Sequence, residues 1–248
     1  MRIQNINIYK ALPITNKQVF KSNLNQPKYS FEETGRIEQN SRMIFALGQN
    51  YFNSCEKELE TGKAILEDVK NFIELGRELY FREVEFGDGR KIDFTKTNNV
   101  DCEIISMNEY QDEFLVRKSH LDGNLKPLKI TMYGKEDNAE VKKSYLINSS
   151  EKITQIETEY AKANGEKISG YTSYTDEKPK RTFRLEEHDN IITQEYFRYG
   201  INAKNSPITS YSITTIVDKG KPETERYAFE GNHIVSYLSS KGKIDFMA

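Results

Sequence analysis

Histidine, cysteine and clustered carboxylates carry most acid–base, nucleophilic and metal chemistry, and this chain of 248 residues has only three histidines and two cysteines. His120, His188 and His233 each stand beside a run of turn-forming residues. Their spacing fits no metal motif, and neither His-Glu-x-x-His nor Cys-x-x-Cys occurs. Glu186-Glu187-His188-Asp189 is the densest titratable cluster, and a carboxylate beside an imidazole orients it as a general base. Neighbouring strand residues point to opposite faces, however, and a polar run between two apolar runs reads as a solvated turn. No Gly-x-Ser-x-Gly elbow presents a serine nucleophile, and Cys55 falls on the apolar stripe of a helix. Gly87-Asp88-Gly89 lacks the length and the Lys-Ser/Thr ending of a phosphate-cradling loop. No catalytic residue, metal ligand or cofactor site is therefore assigned.

Tyrosine is the residue type that remains. Of fifteen tyrosines, Tyr171, Tyr174, Tyr196, Tyr199, Tyr211 and Tyr227 recur through the second half of the chain, often beside serine or threonine. On a solvated sheet face such rings offer large contact area at low entropy cost, so these six are the candidate binding residues. The competing reading is that they form cross-strand pairs that stabilise a one-layer sheet.

The element that must hold this surface is a long amphipathic helix from Ser30 to about Phe81, or two helices in line. Ser30 and Glu33 form a capping box, and Ile37, Ile44, Leu47, Tyr51, Leu59, Leu66, Val69 and Ile73 recur mostly at helical spacing without a proline. Gly48, Gly62 and Gly76 interrupt this stripe at equal intervals, although each glycine costs about 1 kcal/mol relative to alanine. Either they admit another backbone closely, or Thr61 and Gly62 mark a break between two helices.

From Arg82 onward, short runs rich in Tyr, Phe, Ile, Val and Thr alternate with Gly, Asn, Asp, Lys and Pro clusters, which predicts roughly thirteen strands joined as hairpins. Asn164-Gly165 is a candidate type I′ turn. Connections this short exclude parallel crossovers, so the strands form an antiparallel up-and-down meander. Leu128, Ile130 and Met132 would face one way and Lys129, Thr131 and Tyr133 the other, and Phe183 with Leu185 would oppose Thr182 with Arg184. Thirteen strands make a sheet roughly 60 Å wide and fifty helical residues span about 75 Å, so the helix can cross the whole sheet. The fold class is thus α+β, mainly β, with the helix on a wide sheet that is open or curled toward a barrel. Asp122-Gly123 to Tyr133 and Asn164-Gly165 to Tyr174 resemble MORN-type hairpin repeats, without the additional glycines of that family.

Residues 1–29 read as a flexible basic arm: Arg2, Lys10, Lys17, Lys21 and Lys28 precede any acidic residue, and Ile3, Ile6 and Ile8 could add to a sheet edge. Residues 30–248 read as one domain, helical over 30–81 and β-rich over 82–248. A formal net charge of −2 with 30% charged residues argues for a soluble protein without a nucleic-acid partner. The lack of a secretory apolar segment or a membrane span places it in the cytoplasm. The expected function is non-catalytic: a protein-interaction or scaffold protein whose sheet face or edge meets another protein or a second copy. A carrier of an apolar ligand between helix and sheet, and a hydrolase, are the alternatives.

Overall fold

The computed structural model describes residues 29–79, 83–96, 104–200 and 208–246. Residues 1–28 of the expected arm 1–29, Cys102 and the turns at Asn98-Asn99 and Asn202–Pro207 lie outside them. Helix α1 (Phe31–Leu79) is continuous over 49 residues, so no break occurs at Gly62. It begins at the capping box: the Glu33 amide donates to Ser30 Oγ at 3.1 Å and the Ser30 amide to Glu33 Oε2 at 2.8 Å.

Among the described residues fourteen antiparallel strands follow, each paired with its neighbours in sequence. They are β1 (Glu83–Glu85), β2 (Arg90–Lys96), β3 (Ile104–Gln111), β4 (Phe114–Leu121), β5 (Pro127–Glu136), β6 (Ala139–Ile147) and β7 (Ile153–Lys162). The second half comprises β8 (Lys167–Thr175), β9 (Lys178–His188), β10 (Ile191–Tyr199), β11 (Ile208–Val217), β12 (Glu223–Glu230), β13 (His233–Ser239) and β14 (Gly242–Asp245). The count exceeds the expected thirteen by one. β1 and β14 do not pair with each other, so the sheet stays open and no barrel closes.

Two kinds of turn set the register. Asp112-Glu113, Asp137-Asn138 and Asp176-Glu177 form two-residue loops with positive φ at both positions, as a type I′ turn requires. Asn164-Gly165 is not of this type. Positive φ falls on Gly165, whose amide donates to Lys162 O at 3.0 Å while the Lys162 amide donates to Glu166 O at 2.9 Å. This is a three-residue loop closed by a bulge. Asp122–Lys126 and Asn148–Lys152 repeat it, with the Asp122 and Asn148 side chains accepting amides of the loop at 2.8 to 3.0 Å.

Helix and sheet are matched in step. Thr34, Ser41, Gly48, Cys55, Gly62, Val69 and Gly76 stand seven residues apart on the face of α1 that meets the sheet. Seven helical residues rise about 10.5 Å and two strand spacings cover about 9.6 Å, so each heptad advances the helix by one hairpin. Gly48 meets Ile208 of β11 and Phe197 of β10. Cys55 meets Thr182 of β9 and Thr172 of β8. Gly62 meets Ile153 of β7 and Tyr145 of β6, and Gly76 meets Phe94 of β2. The helix accordingly comes closest to alternate strands, from β5 through β13. A Cβ at Gly48, Gly62 or Gly76 would lie 2.4, 2.7 or 2.6 Å from those side chains, which is why glycine occupies these positions.

The seam between helix and sheet holds the core. Leu59, Leu66, Val69 and Ile73 pack on Ile92, Phe94, Met107, Ile130, Tyr145 and Ile156. Toward the helix start, Ile37 belongs to one buried cluster with Phe197, Tyr199, Ile208, Tyr211, Tyr227 and Tyr237. A single layer under one helix is thin, and tyrosine suits it: the ring is buried while the hydroxyl reaches polar groups at the rim. Tyr145 donates to Glu58 at 3.1 Å, Tyr174 to the Cys55 carbonyl at 2.9 Å, Tyr211 to Glu195 at 2.8 Å and Tyr227 to Glu225 at 2.9 Å.

Candidate functional site

Alternation along each strand leaves one sheet face under α1 and the other, among the described residues, without a helix. Of the six candidate tyrosines, Tyr174, Tyr199, Tyr211 and Tyr227 are buried on the helix side. They are core residues, and the expectation that they line an open surface is corrected. Tyr171 and Tyr196 do lie on the helix-free face. There Tyr171 pairs with Phe183, ring centroids 5.6 Å apart, and Phe183 pairs with Tyr196 across the next strand.

The orientation of β9 accounts for part of this surface. Phe183 and Leu185 turn away from α1, opposite to what their hydrophobicity implies for a core strand. Thr182 and Arg184 take the inner positions because α1 offers them polar partners. Thr182 lies against Cys55 Sγ, and Arg184 Nη1 donates to the Tyr51 hydroxyl at 3.0 Å. Arg184 Nη2 also donates to Glu186 at 2.7 Å, so this half-buried charge is satisfied from both sides. Ile130 is buried and Tyr133 lies on the outer side as expected, whereas Leu128 beside the β4–β5 irregularity is 45% exposed.

Three cross-strand rows make up the helix-free surface. Tyr133, Lys142, Glu159, Ser169 and Leu185 form the row nearest the β5–β6 turn. Glu157, Tyr171, Phe183, Tyr196 and Ser212 form the middle row. Ser173, Arg181, Arg198 and Ser210 form the third. The first row floors a groove of about 890 Å³ over β4 to β9, walled also by Phe114 and Val116 and crossed by the Lys142–Glu159 ion pair at 3.0 Å. Phe114 is 77% exposed. Sequence reasoning missed Arg181, Phe183 and Leu185 as surface residues because the inward parity of β9 depends on its partners in α1, and it missed Phe114 on β4 and Arg198 on β10 because no local pattern marks them.

This face presents rings, hydroxyls and guanidinium groups. His188 sits at a solvated turn, Nε2 3.2 Å from Asp189 Oδ2, with its side chain 48% exposed. Partial burial, aided by Lys118 and Lys129, lowers the His120 imidazole below its ordinary value. Burial also pushes the Cys55 thiol up, against the hydrogen bonds of Thr172 and Thr182, which disfavours the reactive thiolate. Between helix and sheet, where an apolar ligand would lie, Tyr145, Ile153, Phe197 and Ile208 fill the space beside the helix glycines. No described helix is long and apolar enough to cross a membrane. The chain matches no protein-family model and no curated protein.

Proposed function

We propose that this chain is a non-catalytic interaction protein whose helix-free sheet face docks another protein. The observation that carries the reading is the strip of Leu185, Phe183, Tyr171 and Tyr196, joined across the Ser169, Glu159 and Lys142 positions to Tyr133 and exposed Phe114, on the face that α1 leaves bare. Tyr133, Tyr171, Phe183, Leu185 and Tyr196 are half-buried and Phe114 is exposed, and aromatic residues gathered on an uncovered face are enriched in protein interfaces. The helix stiffens the sheet from behind, so the strip is presented preformed and little ordering is lost on association.

The test places a photoreactive amino acid at Thr214, beside the strip, and a second at Asn124, in the turn after β4. Irradiation in native cells should give defined cross-linked products from position 214 and not from position 124. The variant Tyr171→Ser, Phe183→Ser, Tyr196→Ser should lose them while keeping its circular dichroism spectrum. Unchanged products from that variant would remove the face as the docking surface.

A further inference from the structure

We infer that this face is polarised, and that it takes an extended peptide segment carrying an apolar side chain at one end and a carboxylate at the other. The inference rests on the docking role proposed above and adds the chemistry of the partner. Arg181 and Arg198 stand directly opposite each other across β9 and β10, both exposed. Like charges at opposed positions of an antiparallel pair repel, and sheets ordinarily avoid them or supply an acid between them. Here no acid is supplied: among the described residues neither arginine forms an ion pair, and Arg198 rests over the Tyr196 ring at 5.5 Å. Arg226 of β12, opposite Ser212, adds a third exposed guanidinium without an ion pair among the described residues.

The acid closest in this layout is already engaged. Glu157 on β7 accepts from Lys129 at 3.3 Å and from Gln155 at 2.9 Å. The Ser173 and Ser210 positions flank the arginine pair in the same row, so hydroxyl groups stand on both sides of the gap. Two forked guanidinium groups with adjacent hydroxyls match the geometry of a carboxylate, which accepts parallel hydrogen bonds.

The opposite end of the strip has different chemistry. Leu185 closes one end of the groove that runs across β8, β7 and β6 to Tyr133, Val116 and Phe114, and the groove's charges are balanced: Lys135, Lys142 and Lys167 against Glu140, Glu159 and Glu187. A nucleic-acid strand, with a phosphate at every step, would meet those three carboxylates. A ligand charged at one end only would not. From Leu185 to Arg181 is four residues along β9, about 13 Å, the length of four extended peptide units. The partner segment therefore has its apolar anchor and its acid four residues apart.

The probe is the peptide acetyl-Phe-Ser-Thr-Ser-Asp-amide, titrated into the isotopically labelled full chain and followed by NMR at the Arg181 and Arg198 Nε–Hε groups and the Tyr171 and Tyr196 rings. It should bind about tenfold more tightly than its Asp-to-Asn counterpart, the scale of one charge-assisted contact. Arg181→Ala or Arg198→Ala should bring that ratio close to one, and Leu185→Ser should weaken both peptides equally. A peptide with only one residue between Phe and Asp should lose the tenfold advantage. Equal binding of the Asp and Asn peptides, with the tyrosines still perturbed, overturns the acid-directed subsite and leaves the docking face standing. Tighter binding of an eight-nucleotide oligothymidylate or of laurate at the same arginines overturns the peptide as occupant. So does a dimer of the free chain that Arg198→Glu dissolves. Unchanged photo-cross-links in the triple aromatic variant overturn the docking role itself, whatever the peptides do.

Discussion

Replacing Gly62 by alanine tests the step-matching of helix and sheet most directly. On an exposed helix the change would stabilise the protein by about 1 kcal/mol, because alanine loses less backbone entropy than glycine. Here the added Cβ would lie 2.7 Å from Ile153 Cδ1 and from Cδ1 and Cε1 of Tyr145. Carbon atoms pack at about 3.5 to 4.0 Å, so helix and sheet must separate locally by about 1 Å. Tyr145 cannot yield easily: it is 2% exposed and its hydroxyl is tied to Glu58 at 3.1 Å. Overpacking of this kind costs about 1 to 3 kcal/mol, which exceeds the propensity gain and leaves a net loss of about 1 kcal/mol. In urea unfolding with an unchanged slope, the midpoint should fall by about 0.4 M, and the melting temperature by about 2 to 4 °C. Ile153→Val removes the Cδ1 atom that the added methyl group would strike. The double variant should therefore be less destabilised than the two single losses combined. A midpoint that rises on Gly62→Ala would refute the close approach, and with it the reading of Gly48 and Gly76.

Arg117, 6% exposed between Asp68 at 2.6 Å and nearly buried Glu109, should lose about 3 to 5 kcal/mol on Arg117→Ala, because Glu109 is left unpaired. Adding Glu109→Leu to Arg117→Met should recover most of that in the same urea assay; no recovery would show that the charge itself is required. The Glu33 carboxyl is held down to about 2 from an ordinary 4.5, chiefly by its hydrogen bond to Lys241 and then by the Ser30 amide. Because its folded value is depressed, its contribution is present above the ordinary value and is lost as the pH falls toward 2. Carbon-13 NMR should place the Glu33 midpoint near 2, and Lys241→Met should move it upward. An unmoved midpoint would assign the depression to the helix end alone. Tyr211→Ala should cost about 3 to 5 kcal/mol because its ring is buried under α1, whereas Tyr196→Ser on the open face should change stability by about 1 kcal/mol or less. Equal losses at the two positions would contradict the assignment of faces.

Much of the architecture is legible in local pattern. Ser30 with Glu33 marks the helix start, and the Asp-, Asn- and Gly-bearing clusters from Gly87 to Gly242 mark the strand ends. Short connections then leave only an antiparallel meander. These readings succeed because caps and turns depend on residues within a few positions of one another. The turn at Asn164-Gly165 departs from its sequence reading because its type depends on which residue takes positive φ, and the two flanking strands choose that through their register.

By itself, the sequence determined a long helix, a meander of hairpins, and the absence of recognisable catalytic and metal-binding motifs. Only the tertiary structure decided which side of each strand meets the helix. That choice settled whether Gly62 is a break or a contact and whether Tyr211 is core or surface, and it exposed the Arg181–Arg198 pair. The physical reason is that strand alternation has two equivalent phases, and a strand such as β9, with Thr182 and Arg184 on one side and Phe183 and Leu185 on the other, is assigned its phase by contacts with residues more than a hundred positions away.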